Sequence, residues 1–199
     1  MDTSLIGELR ALTGAGMMDI KKALDEAQGN KEKALEILEK LGALKAAKKA
    51  DRATDEGVIG SYVHAHGKVA VLVELMCETD FVARNEQFTT LAHDLAMHIA
   101  AFSPRYTSKQ QVPAEIIAHE REKYSAELLG TPDGNIEKII EEKLANFYDE
   151  VCLLNQKFLK DNSQTVREYI QSKAHIIGEN IQVRRFCRIE INGIANLCQ

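Results

Sequence analysis

The sequence is poor in the features that define several classes of protein. It contains no tryptophan, and its aromatic content is only 6% of 199 residues, which leaves few stacking platforms for single-stranded nucleic acid. Its longest uninterrupted apolar run, Val69 to Val73, is far shorter than the roughly 20 residues of a membrane-spanning helix. The N-terminal residues lack a basic segment followed by an apolar one. We therefore expect no membrane insertion and no export signal.

Cysteine spacing and charge exclude further classes. Cys77, Cys152, Cys187 and Cys198 lie far apart without a Cys-x-x-Cys motif, so neither a zinc knuckle nor a dithiol redox motif is expected, and a cytoplasmic location fits this usage. The net charge of −5 argues against duplex nucleic acid, whose binding is dominated by neutralisation of phosphates. The apolar fraction of 45% is typical of a globular protein. A protein or a small molecule is the expected partner.

The first fifty residues predict three short helices. The first follows Ser4 and is broken by glycines at positions 14 and 16, and the second runs from Met17 to Gly29, where glycine allows a left-handed cap. Asn30 is a suitable cap for the third. The third helix carries an apolar stripe of Ala34, Leu35, Leu38 and Leu41.

A change in composition near residue 53 predicts two domains. The segment from Ala43 to Ala53 is rich in alanine and lysine, so it has helix propensity but little to bury, as expected of a helical linker. We assign residues 1–53 to a three-helix domain that ends in this linker. Residues 54–199 are assigned to an α+β core.

The core sequence predicts a small antiparallel sheet of three strands. Residues 58–64 and 69–77 form a β-hairpin, and the second run is apolar at nearly every position, as in a central strand covered on both faces. Residues 181–191 alternate as a third strand. The expected inward face of that strand is Ile181, Val183, Cys187, Ile189 and Ile191, with Gln182, Arg184, Arg188 and Glu190 outward.

Helices fill the remainder of the predicted core. Asn85 caps a helix that ends at Ser103-Pro104 and packs on the sheet. A helical hairpin follows, with one helix from Pro113 to Leu129 and the other from Asn135 to Tyr148, joined by a turn at 131–134. A short strand over 151–158 and a helix over 165–178 complete an α+β fold.

The spacings that an enzyme would need are not met. The glycines at 60 and 67 are too far apart for a phosphate loop, and those at 14 and 16 follow a helix instead of the strand that a dinucleotide fingerprint requires. A zinc site at His64 and His66 would need a third ligand from elsewhere, so solvated turn histidines are the favoured interpretation. His93 and His98 are five apart on a helix, so they do not share a face as the histidines of a zinc helix do. No metal, cofactor or catalytic residue is predicted.

The segment Cys77 to Asn85 carries the most information. It places an aromatic side chain, Phe81, beside a carboxylate, Asp80, in the connection between a buried strand and a long helix. In a purely structural interpretation Phe81 packs under the following helix and Asp80 is a turn residue. In a functional interpretation the segment is a rigidly mounted probe for a partner, since binding residues are often placed on anchored loops. Spacing alone leaves both open.

Two long motifs resemble a known family. The stretch from Leu12 to Asp19, Leu-Thr-Gly-Ala-Gly-Met-Met-Asp, followed by Lys21-Lys22-Ala23-Leu24, is similar to the N-terminal signature of elongation factor Ts. Residues 79–85, Thr-Asp-Phe-Val-Ala-Arg-Asn, resemble its second signature, and the segments 43–49 and 97–100 also match in the right order.

The resemblance implies a guanine-nucleotide exchange factor that binds elongation factor Tu and speeds release of GDP without covalent chemistry. It implies that the three-helix domain, similar to ubiquitin-associated domains, docks on the partner's nucleotide-binding domain. Arg10, Met17 and Met18 match positions in that contact. Two adjacent methionines cannot both face inward on one helix, so at least one should be exposed.

The second signature is implied to act at the partner's magnesium site. Its residues here are Thr79, Asp80, Phe81 and Val82. Phe81 would be an apolar wedge, and Asp80 would disturb the groups that hold the water shell of the ion.

The length fits the short form of the family. Only one set of sheet-forming strands is present, which implies half of the contact surface of a duplicated core, and we expect a homodimer to restore it. Cys187 is most simply a core residue, although it or Cys198 could lie at a subunit contact. Contact of the 113–149 hairpin with the partner is left open. An alternative function is an adaptor or dimerisation module without exchange activity.

Overall fold

A computed structural model describes residues 3–49, 52–128, 136–193 and 197–198. The chain folds into two compact units built from discontinuous segments. Unit 1 comprises Met1–Gly60, Val73–Leu95 and Arg167–Arg184, and unit 2 comprises Ser61–Leu72, Ala96–Val166 and Arg185–Gln199. The boundary near residue 53 that the sequence suggests stays a prediction.

The three predicted N-terminal helices are present: α1 (Thr3–Thr13), α2 (Met17–Glu26) and α3 (Lys31–Lys49). The Asn30 side-chain oxygen accepts a hydrogen bond from the Lys33 amide at 3.0 Å, which confirms the predicted cap. The linker is the continuation of α3, helical as far as Lys49. The core of this bundle includes Ile6, Leu9, Ile20, Ala23, Leu24, Ala34 and Leu38.

The main sheet has the strand order β1-β2-β5-β6. Its strands are β1 (Glu56–His64), β2 (Val69–Cys77), β5 (Gln182–Glu190) and β6 (Leu197–Cys198). The predicted three-stranded antiparallel arrangement is confirmed, with β2 in the centre, and β6 adds two residues at the β5 edge. The expectation that β2 is covered on both faces is wrong at Leu72, which is exposed.

The other elements give the chain its α+β class. They are α4 (Asp80–Ala83), α5 (Glu86–Phe102), α6 (Ala114–Glu127), α7 (Ile136–Val151), β3 (Lys157–Phe158), β4 (Asp161–Thr165) and α8 (Val166–Ile177). Strands β3 and β4 form a separate antiparallel pair. Sequence reasoning missed α4, β4 and β6. The predicted turn at 131–134 lies outside the described residues.

Helix α5 packs on the sheet as predicted. Its apolar face is fully buried, including Phe88, Leu91 and Leu95. A Cβ atom at Gly60 of β1 would lie 2.6 Å from the Ala92 carbonyl oxygen of α5, so this close approach of helix and strand requires glycine.

The strand predicted over residues 151–158 is wrong in most of its length. Helix α7 extends to Val151, Cys152 forms an isolated bridge with Tyr106, and Leu153–Asn155 is a 3-10 turn. Only Lys157–Phe158 is a strand. The buried apolar residues of this stretch are distributed over the end of α7, the turn and β3. A short apolar run does not distinguish a strand from other buried structure.

The prediction of which β5 residues face inward is also wrong for the part of the strand in unit 2, residues 185–190. Phe186 and Arg188 are buried, whereas Ile189 and Ile191 are exposed. The Arg188 guanidinium approaches the Ala100 carbonyl of α5 at 3.4 Å and pairs with Glu190 at 2.6 Å. Alternation identified the strand, but an ion-paired arginine occupies the face that α5 covers.

Cys187 is half-buried and forms a disulfide with Cys198 across the β5–β6 pair. This corrects its interpretation as a core thiol. Cys77 and Cys152 are buried and not disulfide-bonded. Burial, with help from Glu179, raises the pKa of the Cys77 thiol to about 11, so this sulfur is unreactive at neutral pH.

His98 joins α5 to the β3–β4 region inside unit 2. Its Nε2 lies 3.0 Å from the Gln156 side-chain oxygen, and its Nδ1 accepts a hydrogen bond from the Leu159 amide at 3.2 Å. Nε2 must therefore carry the proton and donate it to Gln156. Burial lowers the pKa of His98. The imidazole is a neutral structural group.

The α6–α7 hairpin, in unit 2, has an apolar base and a polar middle. Val112, Phe147 and Val151 belong to a buried cluster at the base. Farther along the hairpin, Arg121 pairs with Glu137 and Glu141 of α7. These ion pairs link the two helices beside the buried residues Ile140 and Leu144 of α7.

Candidate protein-binding site

The second signature lies where β2 passes into α4. Thr79 is the N-cap of this short helix, and its hydroxyl accepts a hydrogen bond from the Val82 amide at 3.3 Å. Val82 points inward and is buried. The part of the signature from residue 79 to residue 82 is therefore held at both ends, by the cap at Thr79 and by the burial of Val82.

Phe81 projects into solvent from this segment. Its side chain is 80% exposed, which shows that the purely structural interpretation, with Phe81 packed beneath the following helix, is wrong. Asp80 is also exposed and forms an ion pair with Arg84 at 3.1 Å. Exposed phenylalanine on an ordered segment suits contact with a partner, since burial of that ring on binding is strongly favourable.

Glu179 anchors the segment, and sequence reasoning missed it. One of its carboxylate oxygens accepts hydrogen bonds from the amides of Glu78 at 2.9 Å and Thr79 at 3.1 Å. The other accepts from the Thr79 hydroxyl at 2.6 Å. Glu179 lies about 100 residues later in the chain, so no local pattern could have indicated this contact.

In a second group of contacts the Glu78 side chain is the acceptor, and the chain just after Glu179 supplies a backbone donor. The Glu78 carboxylate accepts a hydrogen bond from the Asn180 amide at 2.7 Å and pairs with Arg52 at 3.4 Å. The Asn180 side chain donates to the Arg52 carbonyl at 2.8 Å. The residue before the signature is thus tied both to the chain after α8 and to Arg52 in the linker segment.

The first signature presents a second exposed surface in unit 1. Met17 is 49% exposed and Met18 is 67% exposed, which confirms that at least one methionine faces solvent. Leu12 and Arg10 are exposed on the preceding helix. A cluster of exposed apolar side chains with flexible methionines is typical of a protein-binding surface.

Gly14 in this signature has a structural role. Its φ is +64°, and a Cβ atom there would lie 2.7 Å from Cγ1 of Ile176 in α8. Glycine is required both by the left-handed backbone and by the close approach of the α1–α2 turn to α8.

The described ranges contain neither a metal-binding cluster nor a membrane-spanning helix. Within them there is no cluster of three or more histidine, cysteine, aspartate or glutamate residues that could hold a metal ion. None of the helices in the same ranges is long and apolar enough to cross a bilayer. The fold is α+β, and unit 1 carries two exposed surfaces, one at Phe81 and one at Met17 and Met18.

Comparison with known proteins gives the family. A family model described as "Elongation factor TS" matches residues 8–177. The chain is 54% identical over 193 residues to Elongation factor Ts of Fervidobacterium nodosum, covering 96% of this chain and 98% of that protein. It is 51% identical over 185 residues to Elongation factor Ts of Geobacter sulfurreducens, covering 92% and 86%. The chain belongs to the elongation factor Ts family.

Family membership gives the general role. It supports nucleotide exchange on elongation factor Tu during translation. Such a protein acts by binding and catalyses no covalent step.

Proposed function

We propose that this chain releases GDP from elongation factor Tu by bringing Asp80 and Phe81 against the surroundings of the partner's magnesium ion. Magnesium bridges nucleotide phosphates and keeps several waters on few protein ligands. Small displacements of the groups around it therefore weaken nucleotide binding strongly. Phe81 is the wedge in this mechanism, Asp80 perturbs the water shell, and Thr79 and Val82 hold the two in place.

The observation that supports this proposal best is the exposure of Phe81 on an anchored segment. A phenylalanine side chain that is 80% exposed contributes little to the folding stability of the isolated chain. The neighbouring residues Thr79 and Val82 are nevertheless fixed, by hydrogen bonds and by burial respectively. This arrangement favours contact with a partner, because the cost of ordering the segment is met before binding.

We propose that Arg10, Met17 and Met18 dock the partner's nucleotide-binding domain. They lie in the same compact unit as Phe81, so one unit carries both surfaces. Docking by residues 1–53 would supply affinity, and the segment at 79–82 would supply the effect on the nucleotide. We place this activity in the cytoplasm, where translation takes place.

The test is stopped-flow release of a fluorescent GDP analogue from elongation factor Tu, with and without this chain. We expect Phe81→Ala and Asp80→Ala to lose most of the acceleration while both variants remain folded. Phe81→Leu, which keeps part of the apolar bulk, should retain an intermediate rate. Asp55→Ala, at another exposed aspartate of unit 1, is the matched control and should behave like the unmodified chain.

Two results would contradict the proposal. No acceleration by the unmodified chain at micromolar concentration would exclude exchange activity. Binding to elongation factor Tu without any acceleration would favour the alternative function, an adaptor or dimerisation module without exchange activity. Full acceleration by the Asp80 and Phe81 variants would contradict the role proposed for those two residues.

We further propose a homodimer that covers an exposed sheet face of unit 2. Val63 of β1, Leu72 of β2 and Ile189 of β5 are exposed, and on β5 the exposed positions alternate with Phe186 and Arg188, which are buried. The sequence pattern predicts that the apolar face of β5 with Ile189 is buried, yet this face is exposed in the single chain. It is buried as predicted only if a partner covers it. A second copy is the occupant that also supplies the contact surface that a single core lacks.

Sedimentation equilibrium tests the dimer. We expect a particle of twice the chain mass at micromolar concentration, and Leu72→Glu combined with Ile189→Glu should shift it to the monomer. A monomer of about 22 kDa for the unmodified chain would contradict the proposal.

A further inference from the structure

We propose that Glu179 is a positioning residue for nucleotide exchange, which acts by fixing the backbone that carries Phe81. This inference rests on the proposed function of the segment at 79–82. Glu179 is placed by Gly178, whose φ of +92° ends α8 in the left-handed region and turns the chain toward the end of β2. The carboxylate then accepts three hydrogen bonds from Glu78 and Thr79.

The hydrogen-bond directions explain why a carboxylate is needed at this position. The Thr79 hydroxyl donates its proton to Glu179 at 2.6 Å, and this leaves a lone pair for the Val82 amide at 3.3 Å. Two backbone amides donate to the other carboxylate oxygen. All three partners donate toward Glu179, and a carboxylate accepts from them with both of its oxygens. An amide has one acceptor oxygen only, so in Glu179→Gln the amide nitrogen would face either the two backbone amides or the Thr79 hydroxyl, which would have to turn its proton away.

The segment depends on this anchor because it has little stability of its own. Helix α4 contains only four residues, and a helix this short is not stable in isolation. The Phe81 ring is too exposed to be held by packing. Its position is therefore set by the backbone, and the backbone is set by the cap at Thr79, by the burial of Val82 and by Glu179.

Loss of the carboxylate should loosen the segment more than it unfolds unit 1. Thr79 is exposed, so water can replace its lost partner, while the buried side chains of β2 and α5 keep their contacts. A loose segment would still reach the partner, but it would spend less time in the geometry that disturbs the magnesium site.

The experiment compares Glu179→Gln with the unmodified chain in stopped-flow GDP release over a range of chain concentrations. Hydrogen bonds to charged groups contribute enough for us to expect about a tenfold lower maximal rate. The half-saturating concentration should change less than about twofold, because the Met17 and Met18 surface is untouched. Glu122→Gln, at an exposed glutamate of α6, is the matched control.

A double-mutant cycle separates positioning from general damage. If Glu179 acts through Phe81, Glu179→Gln should have almost no further effect on the maximal rate in a Phe81→Ala background. Thr79→Val, which removes the hydroxyl and keeps the shape, serves as the second variant if Glu179→Gln does not fold, and it should show the same loss and the same non-additivity.

The outcomes distinguish this inference from the proposed function. No acceleration by the unmodified chain would remove the proposed function itself. Normal acceleration that is lost in Phe81→Ala but kept in Glu179→Gln would overturn only the role of Glu179. A raised half-saturating concentration at an unchanged maximal rate, or additive effects in the cycle, would also overturn it.

Discussion

Two phenylalanines seven positions apart should respond to the same substitution in opposite ways. Phe81 is 80% exposed and Phe88 is 0% exposed. Truncation of a fully buried phenylalanine to alanine costs about 3–5 kcal/mol, because it removes apolar contacts and leaves a cavity. Truncation of an exposed side chain changes stability by less than about 0.5 kcal/mol. We therefore expect Phe88→Ala to lower the free energy of unfolding severely and Phe81→Ala to leave it unchanged.

The two variants should rank in the opposite order in nucleotide exchange, where Phe81→Ala should lose activity and folded Phe88→Ala should keep it. A phenylalanine that is mostly exposed offers about 160 Å² for burial on a partner, which at about 25 cal/mol per Å² corresponds to about 4 kcal/mol. That is an upper limit of about a thousandfold in the rate of GDP release. We expect Phe81→Ala to reduce acceleration between about tenfold and this limit, since contact with a partner is seldom complete.

Denaturant unfolding followed by circular dichroism measures the first effect, and stopped-flow GDP release measures the second. Phe88→Ala is examined below its unfolding transition, where its folded fraction should exchange at close to the normal rate. The reasoning is refuted if Phe81→Ala destabilises the chain by more than about 1 kcal/mol, or if it exchanges as fast as the unmodified protein.

Three further predictions concern stability. Because the folded state holds His98 neutral with a pKa below its ordinary 6.5, the unfolded chain binds the extra proton, so the free energy of unfolding should fall as the pH drops below 6.5, and His98 should contribute no pH dependence well above it. Gly60→Ala should destabilise by about 1–3 kcal/mol, because the new methyl group would overlap the Ala92 backbone. Arg121→Met should speed amide hydrogen exchange in α6 by removing its pairs with Glu137 and Glu141, with little effect on the rest of the chain.

Each of these has a control and a contrary result. His98→Gln should flatten the acid limb of the pH profile, and an unchanged slope would assign the effect to another group. Gly7→Ala, where a Cβ atom meets nothing within 4 Å, should be neutral or stabilising, and equal destabilisation at both glycines would refute the packing argument. Equal exchange rates in Arg121→Met and in the unmodified chain would show that the ion pairs do not hold α6 in place.

Local patterns were sufficient for the elements whose signal is periodic and long. Helix α5 was predicted with its cap and its buried face because Phe88, Leu91 and Leu95 recur at helical spacing on one side. The hairpin of β1 and β2 was predicted because two apolar runs flank a short turn. Short elements such as β4 and β6 were missed, since two to five residues carry too little pattern to distinguish a strand from a loop.

The face of β5 shows where periodicity stops being informative. Alternation places Ile189 and Arg188 on opposite faces, but it does not say which face meets the helix. The side chain of Arg188 reaches Glu190 and the Ala100 carbonyl, so its charge is compensated and it tolerates burial. Hydrophobic pattern alone assumes that the apolar face turns inward within the same chain, and that assumption fails where an apolar face is left for a partner.

By itself the sequence determined the helices, the central hairpin and the two signatures, because these depend on contacts between residues close in the chain. Only the tertiary structure decided that Phe81 faces solvent, since its exposure depends on what the rest of unit 1 leaves uncovered. Only the tertiary structure brought Glu179 to Thr79 across about 100 residues. Hydrogen bonds between such distant positions are set by the fold as a whole, and no local pattern encodes them.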